Sequence, residues 1–98
     1  MHAVVAVFDL DREWDEEHWR TVDEQLIPTT REVPGFVSGY WMLDPSRTRT
    51  HVLTLWDTAD EARAFIEFVE GRLPEAKERA GANRDSMAAV EVVGVAHR

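Results

Sequence analysis

Few side chains in this sequence combine a reactive group with a position that suits chemistry. His51 stands within "TRTHVLTLWDT", in phase with Leu53 and Leu55 on a strand-like run. An imidazole is the natural proton-moving group of a small site. Tyr40 and Trp41 are adjacent on another strand-like run, so they face opposite ways and only one of them lines a given cavity. Either ring could hold a planar ligand, and a tyrosine or indole tip adds one hydrogen bond. Trp56 closes the His51 run and is a third aromatic candidate. His18 lies four residues before Val22, at the inner border of a helical pattern, where it could point into a cleft between helix and sheet. The structural alternative for each is plain packing: a solvated strand-end histidine, a satisfied helix histidine, and indoles in core or interface.

Other chemistries lack their residues. The chain has no cysteine, which excludes disulfides, thiolate nucleophiles and Cys-ligated metals. Its four histidines show no H-x-H or H-x-x-x-H spacing, so no metal is expected. No Gly-rich phosphate loop or serine elbow occurs. A formal charge of -8 repels phosphate backbones and anionic membrane surfaces, so nucleic acid and membrane are not expected partners. The N-terminal run lacks a basic start and no apolar stretch is long enough to span a bilayer, which suggests a cytoplasmic protein.

The elements that must position these residues alternate along 98 residues, read as a single domain over 1–98. "HAVVAVFDL" is a Val-rich strand. "WDEEHWRTVDEQLIPTTRE" has Trp19, Val22 and Leu26 at helical spacing, acidic residues in its first turn, and Pro28 as a kink. Pro34-Gly35 stops the helix and opens "FVSGYWML". The turn "DPSR", Asp44 to Arg47, joins this strand to the His51 strand as a hairpin. Thr58 and Glu61 form a capping box ahead of Ala62, Phe65, Ile66, Val69 and Leu73, an amphipathic stripe. Gly71 and Pro74 interrupt it, and "PEAKERAG" adds a short helical turn. "SMAAVEVVGVA", Ser86 to Ala96, is the fourth strand.

The order βαββαβ predicts a ferredoxin-like α+β fold, a four-stranded antiparallel sheet with its helices on one face. The strands are nonetheless apolar on both faces: Val37, Trp41 and Leu43 oppose Phe36, Tyr40 and Met42, and Leu53 and Leu55 oppose Val52 and Trp56. Strands apolar on both faces need cover on both. A second copy of the sheet is the simplest cover, which predicts a homodimer packed sheet to sheet.

"REVPGFVSGYWML" and "LTLWDTADEARAF", in this order of elements, resemble the dimeric α/β-barrel superfamily, and within it the small antibiotic-biosynthesis-monooxygenase-like domains. The resemblance spans nearly the whole chain. It implies cofactor-independent oxidation or isomerisation of a planar, mostly apolar substrate in a helix–sheet pocket. His51 would move the proton there, and Tyr40 or Trp41, Trp56 and His18 would shape the pocket. The alternative is a non-catalytic dimeric ligand-binding or interaction module. Two positions depart from the family. Many members carry a His nine residues after the Trp that ends strand three, where this chain has Phe65. The haem-degrading branch uses an Asn on strand one, where "VAVFDLD" offers Asp9.

Overall fold

The computed structural model describes residues 1–98, the side chain of Ala80 excepted. Strand β1 (His2–Leu10) leads into α1 (Glu16–Thr21), a π-helical turn (Val22–Leu26) and α2 (Ile27–Arg31). Strands β2 (Phe36–Leu43) and β3 (Arg49–Trp56) follow, then α3 (Ala59–Glu70), α4 (Leu73–Ala80) and β4 (Ala82–Glu91). All strand pairings are antiparallel and the sheet order is β2-β3-β1-β4, the expected ferredoxin-like arrangement.

Pro28 explains the broken first helix. It has no N–H to give and its ring crowds the preceding turn. The backbone widens just before it, and the Ile27 N–H reaches back to the Val22 carbonyl. The helix thus continues past the proline instead of ending there. Gly35 then reverses the chain at a φ of 85°, a conformation that suits glycine. Thr58 caps α3 by accepting from the Glu61 N–H at 3.2 Å, and its hydroxyl donates to the Glu61 carboxylate at 3.0 Å.

Helices cover one sheet face only. Val4, Trp56, Ala62 and Phe65 form the buried core, with Phe36, Ile66, Phe68, Val69 and Met87 packed around it. Trp56 is wholly buried, its indole donating to Thr54 Oγ1 at 2.9 Å. Phe65 tilts against it at 4.6 Å and Phe36 meets it edge-on at 5.6 Å. A register shift between Phe36 and Ser38 turns Phe36 into this core, out of phase with Tyr40 and Met42. Gly39 is a close approach, as its strand position suggests: a Cβ there would sit 3.0 Å from the Trp41 ring.

The opposite face has no cover from the chain. Register places Tyr40, Leu53, Val5 and Ala88 in one row across it, and Met42, His51, Val7 and Ser86 in the next. Val5, Tyr40, Met42 and Val90 are exposed.

The fourth strand differs from its expected limits, Ser86 to Ala96. It begins at Ala82, because the polar run "ANRDS" still pairs with β1 from Leu10 onward across a bulge at Val7 and Phe8. It stops at Glu91, because β1 begins opposite that residue at His2.

Candidate functional site

Helices α3 and α4 pack closely against the sheet, whereas the first helical stretch arches over it with few close approaches. Beneath the arch lies a cavity of about 610 Å³. Its floor is the helix-facing side of the sheet: Val4, Ala6, Phe8, Trp41, Leu43, Thr50, Val52 and Thr54. Its roof carries Trp14, His18, Trp19 and Val22, and its far wall Phe65, Phe68, Val69 and Arg72. Such a volume, walled mainly by aromatic and aliphatic groups but also lined by Glu24, Arg72, Glu75 and Arg79, suits a small organic ligand. Arg72 lies 4.3 Å over the Phe68 ring, a cation–π contact at the edge of this wall.

His18 is the buried titratable side chain of the cavity, 3% exposed. Helix α1 places it. Asp15 is the N-cap, its carboxylate accepting from the His18 N–H at 3.0 Å. In return Nδ1 of His18 lies 3.1 Å from the Asp15 N–H and 2.8 Å from Asp15 Oδ1. These two contacts ask opposite things of Nδ1. The Nε2–H tautomer accepts from the amide at Nδ1; the Nδ1–H tautomer and the protonated ring donate to the carboxylate, and the Nδ1–H tautomer is the one that can take a proton at Nε2. Asp15 therefore serves both protonation states without moving the ring. Trp14 stacks on the imidazole at 5.3 Å and fixes its plane. The Asp15 carboxyl is held below its ordinary value, chiefly by the His18 backbone N–H and further by Arg12.

His51 is elsewhere. It points out of the uncovered sheet face, not into the helix–sheet cavity, which corrects its expected place in that pocket: β3 alternates, and Val52 and Thr54 take the inward positions. Its Nε2 lies 3.1 Å from Asp44 Oδ1, and its side chain is 43% exposed. That contact, with the Ser46 backbone N–H, holds the Asp44 carboxyl below its ordinary value. Tyr40 is likewise outside the cavity, while Trp41 is inside, so the adjacent aromatics divide between the two faces. Trp56 lies in the core below and is not on the cavity wall. Of the residues singled out from sequence, His18 and Trp41 share the cavity. Trp14 lines it too, and Asp15, outside the lining, holds His18 from the helix start; sequence reading missed both. The spacing Asp15-x-x-His18 at a helix start is a capping-box pattern with a histidine in the glutamate's place.

Outside the cavity, a shallower groove of about 450 Å³ runs along the outer edge of β2, between that strand and the arch, lined by Trp19, Ile27, Phe36, Ser38, Tyr40 and Trp41 among others. Among the described residues no group of three or more His, Asp or Glu side chains could hold a metal ion. None of the described helices is long and apolar enough to cross a membrane.

No family profile matches the chain, and no curated protein sequence does. Solved structures do. A protein of Deinococcus radiodurans, provisionally named an antibiotic biosynthesis monooxygenase, superposes with a TM-score of 0.72 at 14% identity, covering 100% of this chain and 98% of its own. A structural-genomics protein, YJCS, gives 0.62 at 15% identity over 93% of this chain and 97% of its own. A variant of MhuD with two manganese protoporphyrin IX molecules bound per active site gives 0.51 at 19% identity over 97% and 99%. Likeness at these identities establishes the fold. The two positions where the sequence departs from the family pattern it resembles are both occupied by partnered side chains. Phe65 is packed on Trp56, and Asp9 lies on the uncovered face in an ion pair with Arg49.

Proposed function

We propose that this chain is a homodimeric small-molecule protein that binds a planar, mostly apolar ligand in the cavity beneath the helical arch. The observation that carries this is the cavity itself: mainly apolar walls, with Glu24, Arg72, Glu75 and Arg79 also in the lining, around one buried imidazole that Asp15 can partner in either protonation state. Convergence of a few polar groups in an otherwise apolar pocket is what fixes a ligand's orientation. The chemistry this suits is removal of a proton from an acidified C–H or O–H group. The resulting planar anion is then poised to isomerise or to meet dioxygen, as in the cofactor-independent oxidations that the resemblance implies. His18 takes the proton-moving role, with Trp41 and Trp14 flanking the ligand. His51 has no part in it.

The uncovered face supports the dimer. Val5, Val7, Tyr40, Met42, Leu53, Leu55 and Val90 form an apolar surface of the kind that marks an interface. A second sheet packed on it supplies the missing layer. In that assembly His51 and Asp44 belong to the interface.

The test is a titration with two- and three-ring hydroxylated aromatics, 2-naphthol and anthrone, followed by tryptophan fluorescence. Oxygen uptake with anthrone is then measured. The expected result is saturable binding that Trp41→Leu weakens, and turnover that His18→Gln abolishes while His51→Ala leaves it intact. Binding without oxygen uptake or isomerised product supports the non-catalytic module instead. No saturable binding to either probe contradicts the cavity reading.

A further inference from the structure

A helix that covers a sheet normally turns an apolar stripe inward. Helix α4 departs from this. Arg72 at its N-cap, then Glu75, Ala76 and Arg79, follow the three- and four-residue spacing of one helical face, and all of them line the cavity. Two of these charges satisfy each other: Arg79 Nη2 lies 3.0 Å from Glu75 Oε1. Arg84 nearby is likewise held, by Glu70 at 3.0 Å. Arg72 has no such partner. Among the described residues no carboxylate pairs with it, in a chain with 19 acidic residues against 11 basic ones. Its guanidinium lies over the Phe68 ring at 4.3 Å, a contact that spends none of its five N–H donors on an oxygen. It lines the cavity yet is exposed, so it stands at the rim.

We propose that the cavity takes a planar aromatic ligand bearing a carboxylate, and that Arg72 holds this carboxylate at the rim while His18 faces the group that loses its proton. The inference rests on the ligand reading above and narrows its substrate class. A guanidinium presents its donors as a planar fork, which matches the two oxygens of a carboxylate in parallel hydrogen bonds. A carboxylate on an aromatic ring lies near the plane of that ring. A flat ligand that fills the space between Trp41 on the floor and Phe68 on the far wall can therefore offer both oxygens to the rim. The formal charge of -8 gives such a ligand no long-range help, since the field of the whole chain repels anions. The attraction is local: one unpaired cation beside apolar walls, where a charge is felt more strongly than in open water.

His18 and Arg72 are carried by different helices, one on the roof and one on the far wall. A ligand that reaches both is fixed at two points, and the apolar walls then set its plane. Glu24, on the π-helical turn of the arch, also lines the cavity and is the other charge that Arg72 could meet. The experiment has to tell a ligand's carboxylate from that internal one.

The test is calorimetric titration of the full-length chain at neutral pH with 2-naphthol and 3-hydroxy-2-naphthoate, which differ by the carboxylate alone. The carboxylate probe is expected to bind at least about tenfold more tightly. Arg72→Gln is expected to abolish that preference while 2-naphthol binding stays within about twofold of the parent chain. Arg72→Lys keeps the charge without the fork and is expected to retain part of the preference. The ratio of the two affinities is the readout, because a loss of packing at Phe68 alone would weaken both probes together. Equal affinities for the two probes, or a preference that survives Arg72→Gln, overturn the carboxylate assignment and leave the cavity reading standing. If Arg72→Gln and Glu24→Gln each weaken both probes alike, Arg72 latches the arch to the wall and the assignment is again overturned. If neither probe binds, the cavity reading fails and this inference with it.

Discussion

The molecule holds two histidine–aspartate pairs, one on each side of its sheet, and they are built for different things. His18 sits under the helical arch, its imidazole buried and stacked on Trp14, while its partner Asp15 stays partly open to solvent at the helix start. His51 and Asp44 sit on the uncovered face at the mouth of the β2–β3 hairpin, with both side chains partly open to solvent. The contact distances are similar, 2.8 Å and 3.1 Å. What separates them is surroundings. A proton moved inside an apolar cavity changes the charge next to a bound ligand; a proton moved on an open sheet face is screened by water. On the function proposed above, chemistry belongs to the inner pair and assembly to the outer one.

The strongest way to break the contrast is to remove what keeps the faces distinct. Phe65 joins the helix layer to Trp56, and Phe65→Ala is expected to cost about 3–5 kcal/mol in urea unfolding, a core truncation with a cavity left behind. A loss below about 1 kcal/mol would show that the helix layer is not packed as described. Next is the outer face. Leu53→Asp places a charge in the middle of the apolar row and is expected to weaken dimerisation about a hundredfold or more by sedimentation, with the monomer still folded. His18→Ala at the inner pair is expected to leave dimerisation unchanged.

Ligand affinity sharpens the comparison from the other side. Trp41→Leu is expected to weaken 2-naphthol binding about tenfold, through loss of aromatic contact, whereas His51→Ala leaves it within about twofold. The smallest effect is in acid. Asp15 and Asp44 both have folded values below the ordinary 3.8, the first through the His18 backbone N–H, the second through the His51 ring. Their contribution to stability is therefore complete above pH 3.8 and is lost as pH falls through the lower folded values. Asp15→Asn and Asp44→Asn should each lower the melting temperature near neutral pH and match the parent chain well below pH 3.8. A gap that persists unchanged into strong acid would mean that the loss is steric and not electrostatic.

Much of the fold was legible because its signals are local. Thr58 and Glu61, the stripe from Ala62 to Leu73, and Pro34-Gly35 each settle one boundary with few neighbours involved. The double apolar character of the strands also led to the uncovered face. The site was less legible because strand phase does not say which side the helices take. Tyr40 and Trp41 are equivalent until tertiary packing assigns them, and His51 follows whichever phase is outermost. The bulge at Val37 further detaches Phe36 from the phase of the residues after it. Asp15 was overlooked because a cap residue gains chemical meaning only when the residue it caps is buried. The fourth strand was misjudged at both ends for a related reason: Ala82–Arg84 pair with β1 by register despite the polarity of that run, and Val93–Ala96 look like strand but lie past the end of the sheet.

The most direct measurement is a side-chain NMR titration with 2-naphthol. The chain has four histidines and four tryptophans, few enough for each ring to be assigned by single substitutions. The account predicts that the His18 imidazole and the Trp41 indole N–H shift together and saturate at one affinity, while the His51 resonances stay in place. Saturable shifts at His51 and Tyr40, with His18 unmoved, would put the ligand on the other face of the sheet and contradict the assignment.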